Sequence, residues 1–313
     1  MPTALLKHGV RAAALAALVL ATSLGAPAAV AAPAADQVAL QEQATSAGLD
    51  RRAPKPIDVK ITGSGITAPE SAPAGLVSFR VTSDDPNGRF LQAFRPHPGV
   101  AVEQVLADLA KAVSRQPIPT AEGMLAVRDE AEMFGGAQVT ASVSETFTTP
   151  ITAGEVVLLD FTAFLQDPTH PITRTLQLQG SQRPSLPTGF PDSFVLARET
   201  PDGPRFDIHG LDRTSDTILV HNSTQELHEM GIQPVAPGTT DAQIQAIFDR
   251  TAPGPLPYTG RSVGLGVLSP GRSVLLEIRN LPPGTYVVGC FAPDGKAGIP
   301  DAIKGMHKVV VLT

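Results

Sequence analysis

The chain repeats itself, and the repeat limits the folds open to it. The strand-like stretch Leu76–Val81 recurs around Asp216–Val220. The helical stretch Pro98–Leu109 recurs without a gap as Pro237–Phe248, 139 residues further on. Gly154–Phe161 recurs as Gly284–Phe291 at an offset of 130, so the first half carries nine extra residues, expected in 114–134. Two copies of one β-rich unit, each with one inserted helix, explain this better than a single large domain. Within the first copy, Ile57–Ile61, Gly75–Val81 and Gln138–Phe147 alternate as strands do. Val102, Val105, Leu106, Leu109 and Val113 fall on one helical face. Thirty prolines, 28 glycines and no tryptophan suit many short strands joined by turns. We therefore expect an all-β chain of two superposable sandwiches, 57–180 and 193–313, with 181–192 as a Pro-bearing linker. Each helix should form a crossover outside the strand order.

Lys7 and Arg11 precede an apolar run, Ala12–Ala21, and Ala29-Val30-Ala31 offers a small-residue cleavage site. That is the layout of a secretory signal peptide over 1–31, too short in its apolar core to span a membrane. Residues 32–56 read as a mobile tether. The expected address is secreted, with no integral membrane segment after cleavage. Removing the leader takes away two of 24 basic residues against 30 acidic ones, which argues against nucleic acid as a partner. An extracellular protein or cell-surface ligand is the expected partner class. A single cysteine makes no internal disulfide, which is unusual for an exported chain.

That cysteine sits in the most informative stretch. Pro282-Pro283-Gly284 is turn chemistry, Thr285–Val288 is β-branched and aromatic, and Cys290 lies where the strand runs out. A Gly- and Pro-rich loop then leads to Met306, His307 and the apolar run Val309–Leu312. A thiol at a strand end and a thioether beyond the next loop are soft ligands of the kind copper takes. The bland alternatives stand beside this. Cys290 also suits a sandwich core as a small hydrophobe, Met306 can simply face that core, and His228 can sit on a surface loop. His221 reads as structural, and Asn222 as pinning the following turn.

Three stretches of the second half resemble the cupredoxins: Val220-His-Asn-Ser-Thr-Gln-Glu-Leu-His228, the turn-strand Pro283–Cys290, and Gly305-Met306-His307. The resemblance covers about 193–313 and, more faintly, 57–180. It implies Greek-key β-sandwiches, and a copper site whose first imidazole is His228 and whose thiolate and thioether are Cys290 and Met306. The family's second histidine would fall between Cys290 and Met306, where this chain has none. Asp301, after Ile299-Pro300, stands where it would be looked for. A carboxylate is a hard ligand that suits Cu(I) poorly. His307 neighbours Met306, and strand neighbours point to opposite faces. In the first copy the positions of His228, Cys290 and Met306 hold Arg89, Asp160 and Leu176, so that copy reads as structural or ligand-binding only.

Other chemistry is hard to find in the sequence. His228-Glu229 opens like a zinc-protease helix, but the second His position is Ile232. Gly266-Val-Leu-Ser-Pro-Gly lacks nucleophile-elbow spacing, and no P-loop is present. Asp84-Asp85-Pro-Asn-Gly reads as a turn before a calcium loop. The sequence thus points to a secreted non-catalytic module without an intact type 1 copper site and with no cofactor. The alternative is a copper-binding or electron-transfer protein using His228, Cys290 and Met306, completed by His307 or Asp301.

Overall fold

Both sheets of the protein run through both halves of the chain. The computed structural model describes residues 54–180 and 191–313. The leader, the tether up to residue 53 and residues 181–190 of the linker lie outside the described residues. In the first half, β1 (Ile57–Thr62), β2 (Gly65–Thr67), β4 (Gly75–Thr82) and β7 (Ser144–Ile151) join one sheet. β3 (Ser71–Pro73), β5 (Arg89–Pro96), β6 (Ala131–Val139), β8 (Gly154–Asp160) and β9 (Thr173–Gln179) join the other. The second half follows suit with β10 (Ser193–Thr200), β11 (Gly203–His209), β12 (Thr217–Asn222) and β15 (Ser273–Arg279). Its contribution to the other sheet is β13 (His228–Val235), β14 (Val263–Leu268), β16 (Gly284–Gly289) and β17 (His307–Leu312). The strand orders are β11-β10-β12-β15-β7-β4-β1-β2 and β17-β16-β13-β14-β6-β5-β8-β9-β3. The fold is all-β, with mixed sheets and the repeat intact.

Registers confirm the equivalence of the halves. Leu91 pairs with Asp160 and Gln92 with Leu159, and at the repeat offsets Gly231 pairs with Gly289. The expectation that each half would close its own sheets is corrected. β7 pairs with β15 and β6 with β14, all antiparallel, so the repeats fuse edge to edge. Phe147 pairs with Leu276 at this seam. Phe147 also faces Phe79, and Leu276 faces Ile218, so the paired residues are equivalents about a local two-fold. Fusing removes an open edge from each sheet of each half, and an open edge is an aggregation hazard.

Glycine allows the seam in the second sheet. A Cβ on Gly266 would stand 3.1 Å from Gly136 Cα and 2.7 Å from Gln92 Oε1. Gln92 stitches the halves together: its Nε2 donates to Gly135 O at 2.9 Å, and its Oε1 accepts from Val267 N at 2.8 Å. Between the sheets, Phe79 and Phe147 stack at 4.8 Å and are fully buried. A buried side chain of this kind contributes roughly 1.5–3 kcal/mol.

The helices are excursions between hydrogen-bonded neighbours rather than crossovers. α1 (Val102–Ala112) and α2 (Pro117–Glu130) interrupt β5 and β6, and α4 (Asp241–Phe248) interrupts β13 and β14. α2 supplies the extra length expected in 114–134. A further short helix, α3 (Phe161–Gln166), follows β8. Among the described residues no helix is long and apolar enough to cross a membrane.

Candidate metal centre

Cys290 follows the last residue of β16, a strand buried from Tyr286 to Gly289. His228 opens β13, the neighbouring strand, which fixes both side chains at one end of the second half. The loop 291–306 then folds back over that end. Ala302 N donates to Cys290 O at 2.6 Å, Cys290 N donates to Met306 O at 3.1 Å, and Met306 N donates to Asp301 O at 2.9 Å. Asp301 is thereby delivered into the site. Cys290 and Asp301 are fully buried and His228 is 3% exposed.

The three donor atoms converge. Cys290 Sγ lies 3.6 Å from His228 Nδ1, and Asp301 Oδ2 lies 3.1 Å from the same nitrogen. One ligand atom from each residue falls within 4.8 Å of the others. A single imidazole nitrogen carries one N–H or one lone pair, so it cannot serve thiol and carboxylate together. A thiol–imidazole–carboxylate relay needs both ring nitrogens, and here Nε2 is buried with no hydrogen-bond partner among the described residues. The arrangement is therefore not that of a catalytic triad. It is that of donors around one point. Bond lengths of about 2.3 Å to thiolate and about 2.0 Å to imidazole, at a tetrahedral angle, put such donors about 3.5 Å apart. The residues present fit a metal ion on that test.

The charges around the centre are unbalanced. Burial, and then the negative charges of Asp301 and Glu229, push the Cys290 thiol well above its usual value. Lys304 Nζ bridges Asp301 Oδ1 at 2.6 Å and Asp294 Oδ2 at 2.9 Å, which ties down one carboxylate oxygen and leaves the other facing the centre. Beside the centre, burial pushes Glu229 up to about 7, against the pull of the Phe291 N–H that its Oε1 accepts at 3.1 Å.

Of the residues expected at the site, the structure brings His228, Cys290 and Asp301 together. Met306 is fully buried and tied to Cys290 through the backbone. His307 faces the other way: its Nε2 lies 2.9 Å from Gln245 Oε1 and its ring packs on Phe248 of α4. Burial lowers its imidazole pKa. His221 holds Ser273 Oγ at 2.9 Å. Asn222 pins the 222–226 turn, as its sequence position suggested, by donating to Glu226 O at 2.8 Å. Asp85 accepts from Asn87 N at 2.8 Å, the turn reading of that segment. Lys304 escaped the sequence reading, and Glu229 entered it only within the rejected zinc-protease pattern. A Lys three residues after Asp301 was the available signal for the first.

No family model matches the chain, and no curated protein matches it. Solved structures do. The chain is all-β in two mixed sheets, and the solved structures it matches include cupredoxins and multicopper oxidases. Auracyanin from the photosynthetic bacterium Roseiflexus castenholzii is 19% identical, with a TM-score of 0.25, over 38% of this chain and 94% of that one. Rusticyanin from Thiobacillus ferrooxidans is 20% identical, with a TM-score of 0.22, over 38% and 76%. The McoA multicopper oxidase from the hyperthermophile Aquifex aeolicus is 10% identical, with a TM-score of 0.23, over 87% and 69%.

Proposed function

We propose that this protein is an exported, non-catalytic cupredoxin-like module whose second half holds one metal ion, copper before zinc, through Cys290, His228 and Asp301. The carrying observation is the convergence of Sγ and Oδ2 on one ring nitrogen, at 3.6 and 3.1 Å, among three buried side chains. Copper comes first because it binds mixed nitrogen, sulfur and oxygen donors more tightly than zinc does. Such an ion would supply a Lewis-acidic or redox centre. The protein's own groups set its character. Asp301 takes the place of a second imidazole, and a hard donor disfavours Cu(I), so the site is not built for reversible electron transfer. Lys304 holds Asp301 in place, and the loop 291–306 covers the centre. Export rests on the leader pattern of 1–31, and extracellular protein or cell-surface material is the partner class that goes with it.

Competition titration with Cu(II) and with Zn(II) tests the reading. The expected result is one ion per chain, no intense visible thiolate-to-copper band, and loss of binding in Cys290→Ser. An undiminished Cys290→Ser site, or no uptake by the native chain, overturns it.

A further inference from the structure

A cleft of about 700 Å³ lies on the face of β13 opposite the core. His228 and Cys290 face the metal centre, whereas their neighbours Glu229 and Phe291 line the cleft. Gly231 and Gln233 continue its floor, and Met230 and Ile232 between them are in the core. The period of two in a strand makes this division. Phe90 of β5 also lines it, and Phe90 is the repeat equivalent of Glu229, so the cleft straddles the seam between the halves.

Three features mark it as a binding site. Its volume falls within the roughly 300–1,000 Å³ that small-molecule sites occupy, and such sites favour interfaces between structural units. The chain has only twelve Phe and two Tyr, yet Phe90, Phe161, Tyr258 and Phe291 all border this one cleft. Leu165, Phe291 and Tyr258 there are 50%, 38% and 37% exposed, an apolar grouping that water alone does not favour. Room is made by Gly231, at the position where the first half carries Gln92.

The charges choose among ligands. Glu229 keeps Oε2 without a partner among the described residues, and Arg115 stands exposed at the rim without an ion pair among them. A cation would meet Arg115, and an anion would meet Glu229. An uncharged ring system meets neither cost. We propose that the cleft binds an uncharged aromatic small molecule of two or three rings, its single N–H or O–H donated to Glu229. This goes beyond the metal reading and does not depend on it.

N-phenyl-1-naphthylamine, an uncharged fluorophore with one N–H, is the probe. Its emission should rise and shift to the blue with the native full chain, saturating at one site. Gly231→Leu should weaken uptake by at least about tenfold, the scale on which filling an apolar pocket acts. A Cβ there meets Gly289 O at 3.4 Å and Ser262 Oγ at 3.5 Å, ordinary contacts, so the strand accepts a β-carbon on the side that lines the cleft. Leu165→Asp, on an exposed position, should weaken it several-fold whether or not Gly231→Leu folds. No saturable uptake by the native chain, or full uptake by Leu165→Asp, overturns the proposal. A native chain that sediments as a dimer and excludes the probe would assign the cleft to a second copy and overturn it equally.

Discussion

The two halves put different chemistry on the same backbone. Where the second half has His228 beside Cys290, the first has Arg89 beside Asp160, with Arg89 Nη1 3.2 Å from Asp160 Oδ2. Both pairs join equivalent strands in equivalent register. In the first half the protein supplies its own cation. Asp160 is fully buried but also accepts from Ala163 N at 3.0 Å, capping α3, and Arg89 reaches Asp85 Oδ2 at 2.8 Å as well. Burial pushes the Asp160 carboxyl up, while that cap and Arg89 pull it back. Every strong group there has a partner. In the second half no guanidinium among the described residues enters the centre, the following loop is longer, and Asp301 arrives as a further donor. On the proposed reading, one fold position is closed by an internal ion pair in the first half and by a metal ion in the second.

The largest effect expected from breaking this contrast is on metal affinity. Cys290→Ser should lose more than the roughly 10–100-fold that removing a mere supporting partner costs a metal site. Isothermal titration with Zn(II) reads it, and the same variant without metal should unfold within about 1 kcal/mol of the native chain. Asp160→Ala should do the reverse. It leaves Arg89 short of its fully buried partner and uncaps α3, which should cost about 3 kcal/mol in urea unfolding and leave metal uptake unchanged. Asp301→His sharpens the contrast by restoring a second imidazole. With Cu(II) it should gain an intense visible band that the native protein lacks.

The smallest effect concerns the seam. Glu145 is fully buried and accepts from Gly264 N across the sheets, where the second half has Val274. Burial drives its carboxyl well above the usual range, against that hydrogen bond. A carboxyl raised on folding favours the protonated native state. Its contribution is therefore fully present below the unfolded value and is lost as pH rises towards the folded one. Glu145→Gln should match the native chain in acid and exceed it at neutral pH by at least about 1 kcal/mol. Chemical unfolding followed across pH checks this, and equal slopes for both chains would contradict it.

Much of this was legible because it is local. The strand Thr285–Val288, the offset of 139 and the helices α1 and α4 all follow from periodicity and turn residues that neighbours in sequence share. The seam is not local. Pairing of β7 with β15 leaves no mark on either strand, although glycines within strands, Gly135-Gly136 and Gly264, signal close backbone approach. α2 was unreadable for a different reason. Its prolines, Pro117 and Pro119, fall in the first turn, where the missing N–H does no harm, and its Gly123 leaves room for the backbone of α1 at Ala112. Asp301 was found only as the residue standing where a histidine was expected. What brings it to His228 is a loop closed by backbone bonds, and composition does not encode those.

X-ray absorption on the protein loaded with one equivalent of zinc tests the central claim most directly. The account predicts one sulfur at about 2.3 Å with nitrogen and oxygen near 2.0–2.2 Å, and loss of the sulfur shell in Cys290→Ser. A coordination shell of nitrogen and oxygen alone in the native protein would contradict it.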